Sequence, residues 1–407
     1  MPKRPLFYGW AVVWAAHLLL ATLFAAAYSF SSYFAALQAE FLATRAAVAF
    51  TFSLAIFLMF FVGVFAGMAA DRVHVRWVVS AGVLALASGF WVSARVTSLH
   101  DLYWAYGFAI GVGVGCAYVP TIAAVQPWFV RQRGLAAGIA SAGIGLGTLI
   151  GPLIATALIE RHGWRSALDH FAVATVVLGL VCVVFIEKSP AKRGLNADGE
   201  MALNQATPSN VINGMSLREA LSTRTFWLFF CSIFAAGLIQ FMPLAHLPRH
   251  ALDRGFGADS AATLVGIIGL GSLLGRVFMT RWADRVGRRT MLAAMYGLMA
   301  LSFAWWALTL LLPPSYASLL LFALAFGVGY GGFVGVAPSL TMDYFGAKNL
   351  SGLIGALYLA GGFATLFAPT FAGYMYDRSG SYAVPLMVGI FVNLVAATLA
   401  LRLPKTI

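Results

Sequence analysis

Charge is what this chain has least of: Asp, Glu, Lys and Arg make up 10% of its 407 residues, against 61% hydrophobic residues. Soluble domains carry roughly 25% charged residues, so an ordinary water-soluble globule is excluded. Acidic residues are the scarcer sign, 14 in all, and none stands clearly in the middle of an apolar run; Asp169 and Asp343 come near run ends. A carboxylate relay inside the bilayer is therefore not expected. The three cysteines, Cys116, Cys182 and Cys231, each lie in an apolar run. That suits small buried residues and excludes a disulfide or metal framework. No acid/base pair, nucleophile constellation or metal-ligand cluster is in view, so neither an enzyme nor a cofactor is expected.

What the chain has in quantity is apolar length, with a mean hydropathy of +0.86. A hydrocarbon core about 30 Å thick needs roughly 20 apolar residues per helix. Such runs recur along the whole chain, which reads as an all-α membrane protein. The first run is long enough to span and no small-residue cleavage site closes it, so no cleavable leader is expected. The net charge of +12 falls in short clusters between runs, with no continuous basic face. A nucleic-acid partner is not expected, and no obligatory protein partner is evident; membrane lipid is.

Apolar runs and their charged punctuation predict twelve helices. Six lie near 8–34, 46–70, 77–94, 102–127, 134–159 and 166–187, and six near 226–248, 260–280, 290–311, 316–343, 351–373 and 383–402. Residues 1–187 form one six-helix half and 225–407 the other, joined by the polar segment 188–224, a cytoplasmic linker. With both termini cytoplasmic, eighteen of the 26 Lys and Arg residues lie inside and seven outside, as the positive-inside rule requires. The expected location is the cell (inner) membrane.

The halves repeat each other. GMAADRVHVR follows the second span and TRWADRVGRR the eighth; GVGVG at Gly111–Gly115 and GVGYG at Gly327–Gly331 stand 216 residues apart. Two six-helix halves in parallel repeat resemble the major facilitator superfamily, whose substrate sits near the midplane between halves. Asp71-Arg72 and Asp284-Arg285 resemble that superfamily's GxxxDRxGRR loop motif, with His74 in place of a glycine and Thr280 in place of the leading one. The resemblance implies a conformational latch at these four residues.

WFVRQRGLAAGIASAGIGLG, from Trp128 to Gly147, resembles the fifth-span signature of the monocarboxylate transporter family, gap-free over twenty residues. FYGWAVV at Phe7 is similar to the same family's first-span motif, with Tyr8 in place of the usual acidic residue. The resemblance implies transport of short acids such as lactate and pyruvate, with protons as the coupling ion. The oxalate/formate exchanger family is similar in build. GTLIGPLIAT, Gly147 to Thr156, partly resembles a drug/proton antiporter motif, but Ala155-Thr156 replaces its closing Gly-Gly. A non-transporting receptor of this architecture would be expected to append a soluble domain.

One residue breaks the pattern of charges at run ends. No charge lies between Asp259 and Arg276, yet Arg276 stands within the eighth span, short of the cluster Arg281, Arg285, Arg288 and Arg289 that already anchors that end. Snorkelling to headgroups is one reading. The other is a cavity-facing anion site, since an arginine deep in a span costs about 2.5–3.5 kcal/mol and is kept for function. The family resemblance implies that this arginine holds the substrate carboxylate, for which a guanidinium fork is suited. One turn earlier, Ser272 stands where relatives often have an acid or amide. Tyr118 corresponds to an aromatic residue near the substrate, Tyr330 lies in the second glycine repeat, and Tyr358 stands where the oxalate exchangers carry a lysine. One cation argues for one carboxylate. Proton participants are sought in His246, expected to line the cavity between Pro243 and Pro248, and in His17, for which packing between helices is an equal reading.

Overall fold

A computed structural model describes residues 7–129, 133–188, 190–199, 214–346 and 350–405. Without water in the bilayer core, backbone groups must bond within the segment, so apolar runs this long become helices. They are α1 (Tyr8–Glu40), α2 (Arg45–Ala70), α3 (Val75–Ser93), α4 (Leu99–Trp128), α5 (136–162), α6 (164–185), α7 (Arg224–Asp253), α8 (Ala258–Ala283), α9 (Arg288–Thr309), α10 (Tyr316–Phe345), α11 (Gly352–Ser379) and α12 (Ala383–Leu401). α5 and α6 run on without a loop, but Gly163 takes φ 79° and ψ 162°, outside any helix. Unbroken, the 53 residues Arg133–Phe185 would reach about 80 Å, more than twice the hydrocarbon thickness. The break makes them two crossings and brings the total to twelve.

α1 and α7 extend beyond the predicted ends, to Glu40 and Asp253. The added turns are more polar than a lipid-facing helix allows, and they are buried through Leu37, His250 and Ala251. Both helices also change course at mid-length. α1 turns at Ser29, between Tyr8–Tyr28 and Phe30–Glu40; α7 turns at Phe241, between Arg224–Gln240 and Met242–Asp253. After the linker, Gly214 pairs with Gly346, and a Ser216–Glu219 capping box opens the short helix Leu217–Leu221.

The glycine repeats are clamps, and they do the same job twice. In α4, a Cβ on Gly111 would lie 2.6 Å from the Ala55 carbonyl of α2, and one on Gly113 would lie 2.5 Å from the Leu86 nitrogen of α3. In α10, Gly327 and Gly331 meet α8 at Ile268 and Ser272, while Gly329 meets α9 at Met299. Gly331→Ala would put a Cβ 2.0 Å from the Ser272 carbonyl oxygen, backbone that cannot give way. Overpacking costs about 1–3 kcal/mol where side chains can yield, and more here. Purified in detergent, Gly331→Ala is expected to lose its cooperative thermal transition or to melt many degrees lower. Gly352→Ala, with nothing within 4 Å of the new methyl, is expected to melt within about 1–2 °C of the parent, consistent with the small effect of open-site changes.

Candidate functional site: a buried arginine in a cavity between the halves

The π-helical turn Gly275–Met279 interrupts α8 and carries Arg276. Such turns re-aim a side chain and are frequent at functional sites. Arg276 is 9% exposed, and its Nη1 donates to the Ser141 carbonyl of α5 at 2.9 Å. It reaches across to the other half and does not snorkel. Its Nε has no partner, and among the described residues no carboxylate pairs with it. The crossing that brings it there is tight: a Cβ on Gly269 would sit 2.9 Å from the Gly145 carbonyl of α5. Gly271 and Gly275 pack instead against Leu324 and Val328 of α10, so the three glycines serve two neighbours.

Arg276 forms part of the wall of a cavity between the halves. Tyr118, Tyr330 and Tyr358 line it too, as does Tyr28. The Tyr28 and Tyr330 hydroxyls stand 3.4 Å apart across the two halves, and the Tyr358 hydroxyl donates to the Val334 carbonyl at 3.4 Å. Gln240 supplies an amide; Phe24, Met59, Phe60, Ile144, Ile233, Phe241, Phe333 and Val334 supply an apolar wall. The space is about 40 Å³, enough for about three waters and far below the roughly 300–1,000 Å³ of sites for drug-sized ligands. A larger crevice of about 530 Å³ opens on the outside of the bundle between α3 and α4, around Arg95 and Trp104. It holds none of the predicted site residues. The central cavity, with its buried cation, is the candidate site.

Ser272 does not reach this cavity. Its backbone packs on Gly331 of α10 and its hydroxyl is buried without a partner. His17 follows the packing reading: Nδ1 bonds the Ile139 carbonyl of α5 at 2.7 Å, and the ring meets Trp14. His246, expected to line the cavity, is fully buried elsewhere. The turn at Phe241 swings its face toward α11 and the end of α1. There Nε2 donates to the Pro369 carbonyl at 2.8 Å, Nδ1 lies 3.1 Å from the Tyr382 hydroxyl, and the ring meets Phe34.

His246 thereby belongs to a seal between the halves on the face away from the chain ends. Arg45, at the start of α2, pairs with Asp253 at 2.7 Å, donates to the Tyr382 hydroxyl at 2.8 Å and lies 3.6 Å over the Tyr376 ring. Asp377 of α11 accepts from the backbone nitrogens of Arg45 and Ala46 at 3.1 and 3.0 Å, so a carboxylate of one half caps a helix of the other. Thr370 donates to Ser53 across the same seam at 3.0 Å. None of these residues stood out in the sequence, where Arg45 and Arg378 count only as the sparse charges of one face. Tyr28 and Gln240 were also missed, because a lone polar residue in an apolar run carries no periodic signal.

At the opposite face, Arg72 and Arg285 are exposed at helix ends; the carboxylates of Asp71 and Asp284 lie outside the described residues. His74, where the motif has glycine, accepts from the Arg76 nitrogen at 3.3 Å and so caps α3. It also reaches Glu187, which draws in Arg76 and Lys192.

The Major Facilitator Superfamily model matches residues 16–311 and 256–406. Similar proteins include monocarboxylate transporter 12-B of Danio rerio, 26% identical over 97% of this chain and 86% of its own length, and monocarboxylate transporter 12 of Mus musculus, 28% identical over 78% and 69%. A fujikurins efflux protein of Gibberella fujikuroi is 25% identical over 83% and 69%. A D-xylose–proton symporter structure shares the fold with a TM-score of 0.78 at 15% identity, over 98% of this chain and 99% of its own. With twelve helices among the described residues, in two halves around a cavity, the chain belongs to the Major Facilitator Superfamily, as a transporter and not an enzyme.

Proposed function

We propose that this carrier moves one short monocarboxylate, such as L-lactate or pyruvate, with a proton across the cell membrane by alternating access. The observation that carries the reading is Arg276, a buried cation with no carboxylate partner among the described residues, in the wall of a small cavity between the halves. An empty arginine in that setting is stabilised when an anion arrives, and its fork can grip two carboxylate oxygens at once. Tyr118 and Tyr330 offer hydroxyls beside it. Tyr358 stands where a second cation would be needed for a dicarboxylate, which weighs against an exchanger of the oxalate type. The monocarboxylate transporters among the similar proteins support the substrate class. The distribution of basic residues supports cytoplasmic termini.

The proton is assigned to the seal and not to the cavity. With Nε2 donating to Pro369, His246 accepts the Tyr382 O–H at Nδ1 while the Tyr382 oxygen accepts from Arg45. A doubly protonated ring can no longer accept there, so proton binding at His246 loosens the closed seal and favours opening on that face.

Uptake of labelled L-lactate into proteoliposomes under an acid-outside gradient tests this reading. Accumulation that collapses with a protonophore is the expected result. Uptake only into vesicles preloaded with a second acid would replace symport by exchange, and no uptake of any short monocarboxylate under either condition would overturn the proposal. The efflux protein among the similar chains is a reason to run the assay in both directions.

A further inference from the structure

Gln240 contributes to the cavity wall an amide that the carboxylate-binding role of Arg276 leaves unused. It is the last residue before the turn of α7 at Phe241, as Tyr28 is the last before the turn of α1 at Ser29. The first helix of each half thus delivers one polar side chain to the cavity from its mid-length interruption, the kind of place where carriers of this architecture build their sites. Gln240 is 6% exposed and lines the cavity. An amide brings two donors and an acceptor but no charge. In a wall whose other polar groups are tyrosine hydroxyls and the Arg276 guanidinium, it is an amide that can both donate to and accept from a neutral substituent without bringing a charge.

We propose that Gln240 determines specificity by pairing with a neutral oxygen substituent next to the substrate carboxylate, so that the site selects hydroxy and oxo acids over unsubstituted acids of the same length. The inference rests on the monocarboxylate reading above and adds a second recognition point to it. Arg276 takes the carboxylate; Gln240 donates to an oxo oxygen, or both donates to and accepts from a hydroxyl. Because the amide serves either, it does not separate a hydroxy acid from its oxo counterpart. The apolar side chains around it fit the carbon body.

The difference is large enough to measure. A site built to hydrogen-bond a substrate group rejects the analogue lacking it, because its own polar group is left unpaired. One neutral hydrogen bond corresponds to about tenfold in affinity. The comparison is L-lactate against propionate, binding measured by thermal shift on the purified full chain in detergent, in the parent and in Gln240→Met, which keeps the volume and removes the amide. The parent is expected to bind lactate about tenfold more tightly than propionate. In Gln240→Met the two acids should bind alike, with propionate affinity within about twofold of the parent. Gln240→Asn, whose amide is drawn back by one methylene, serves the same comparison if the Met variant does not fold. A preference for lactate that survives the substitution, or an equal loss of both acids, overturns the role of Gln240 while leaving the carboxylate site intact. A parent that binds neither acid overturns the monocarboxylate reading itself, and this assignment with it.

Discussion

Arg276→Met is expected to abolish monocarboxylate transport and, at the same time, to raise the melting temperature of the empty carrier by a few degrees. The two effects share one cause. The guanidinium is buried, donates to one carbonyl through Nη1 and leaves Nε unpaired among the described residues. Placing an arginine there costs about 2.5–3.5 kcal/mol relative to an apolar residue, a cost carried for function and released when the charge is removed. Substrate should then stabilise the parent, by about 2.7 kcal/mol at a hundred times its dissociation constant, and leave Arg276→Met unmoved. Arg276→Lys separates charge from geometry. It keeps the cation but loses the fork, and is expected to lower uptake about 100-fold, the equivalent of a charge-assisted bond worth about 2–3 kcal/mol. Unchanged uptake kinetics in the lysine variant, or a methionine variant that still binds the acid, would remove Arg276 from the site.

The second large effect is expected at Arg45. This side chain holds Asp253 and Tyr382 while its backbone nitrogen is capped by Asp377, so a handful of groups close one face of the molecule. Arg45 is 7% exposed on its side chain and Asp253 22%, and removing one member of so enclosed a pair costs about 2–3 kcal/mol. That energy belongs only to the state in which the seal is closed. Arg45→Met should therefore shift the population toward opening on that face, by roughly 30-fold or more. Ser53→Cys with Thr370→Cys reports it, in a background where Cys116, Cys182 and Cys231 are replaced. The parent side-chain oxygens are 3.0 Å apart across the seam, so oxidation should trap the closed state quickly. With Arg45→Met added, the closed-to-open ratio should fall about 30-fold, and trapping should slow in proportion to the closed population lost. Equal trapping rates would show that the seal does not depend on this arginine.

The amino-acid sequence determined by itself everything that follows from one-dimensional pattern. The crossings found among the described residues were legible because apolar length and charged punctuation are strong local signals in a bilayer. The paired glycine repeats marked close helix approach, and α4 and α10 use them alike. Arg276 was legible for the same reason, as a charge where the bilayer tolerates none without cause. Tyr118, Tyr330 and Tyr358 were legible through family resemblance and do reach one cavity.

Only the tertiary structure decided which face of each helix meets which neighbour. Ser272 is one turn from Arg276, yet the π-helical turn between them aims the serine at α10 and the arginine into the cavity. His246 follows closely in sequence on the cavity-lining Gln240 and Phe241, and the turn at Phe241 carries it to the seal. Tyr28, Gln240, Arg45 and Asp377 gain their roles from helices more than a hundred residues away in the chain. A hydrophobic pattern says how much of a helix is buried in membrane and protein together. It cannot separate lipid from another helix or from a cavity, because all three present similar apolar surroundings to a side chain.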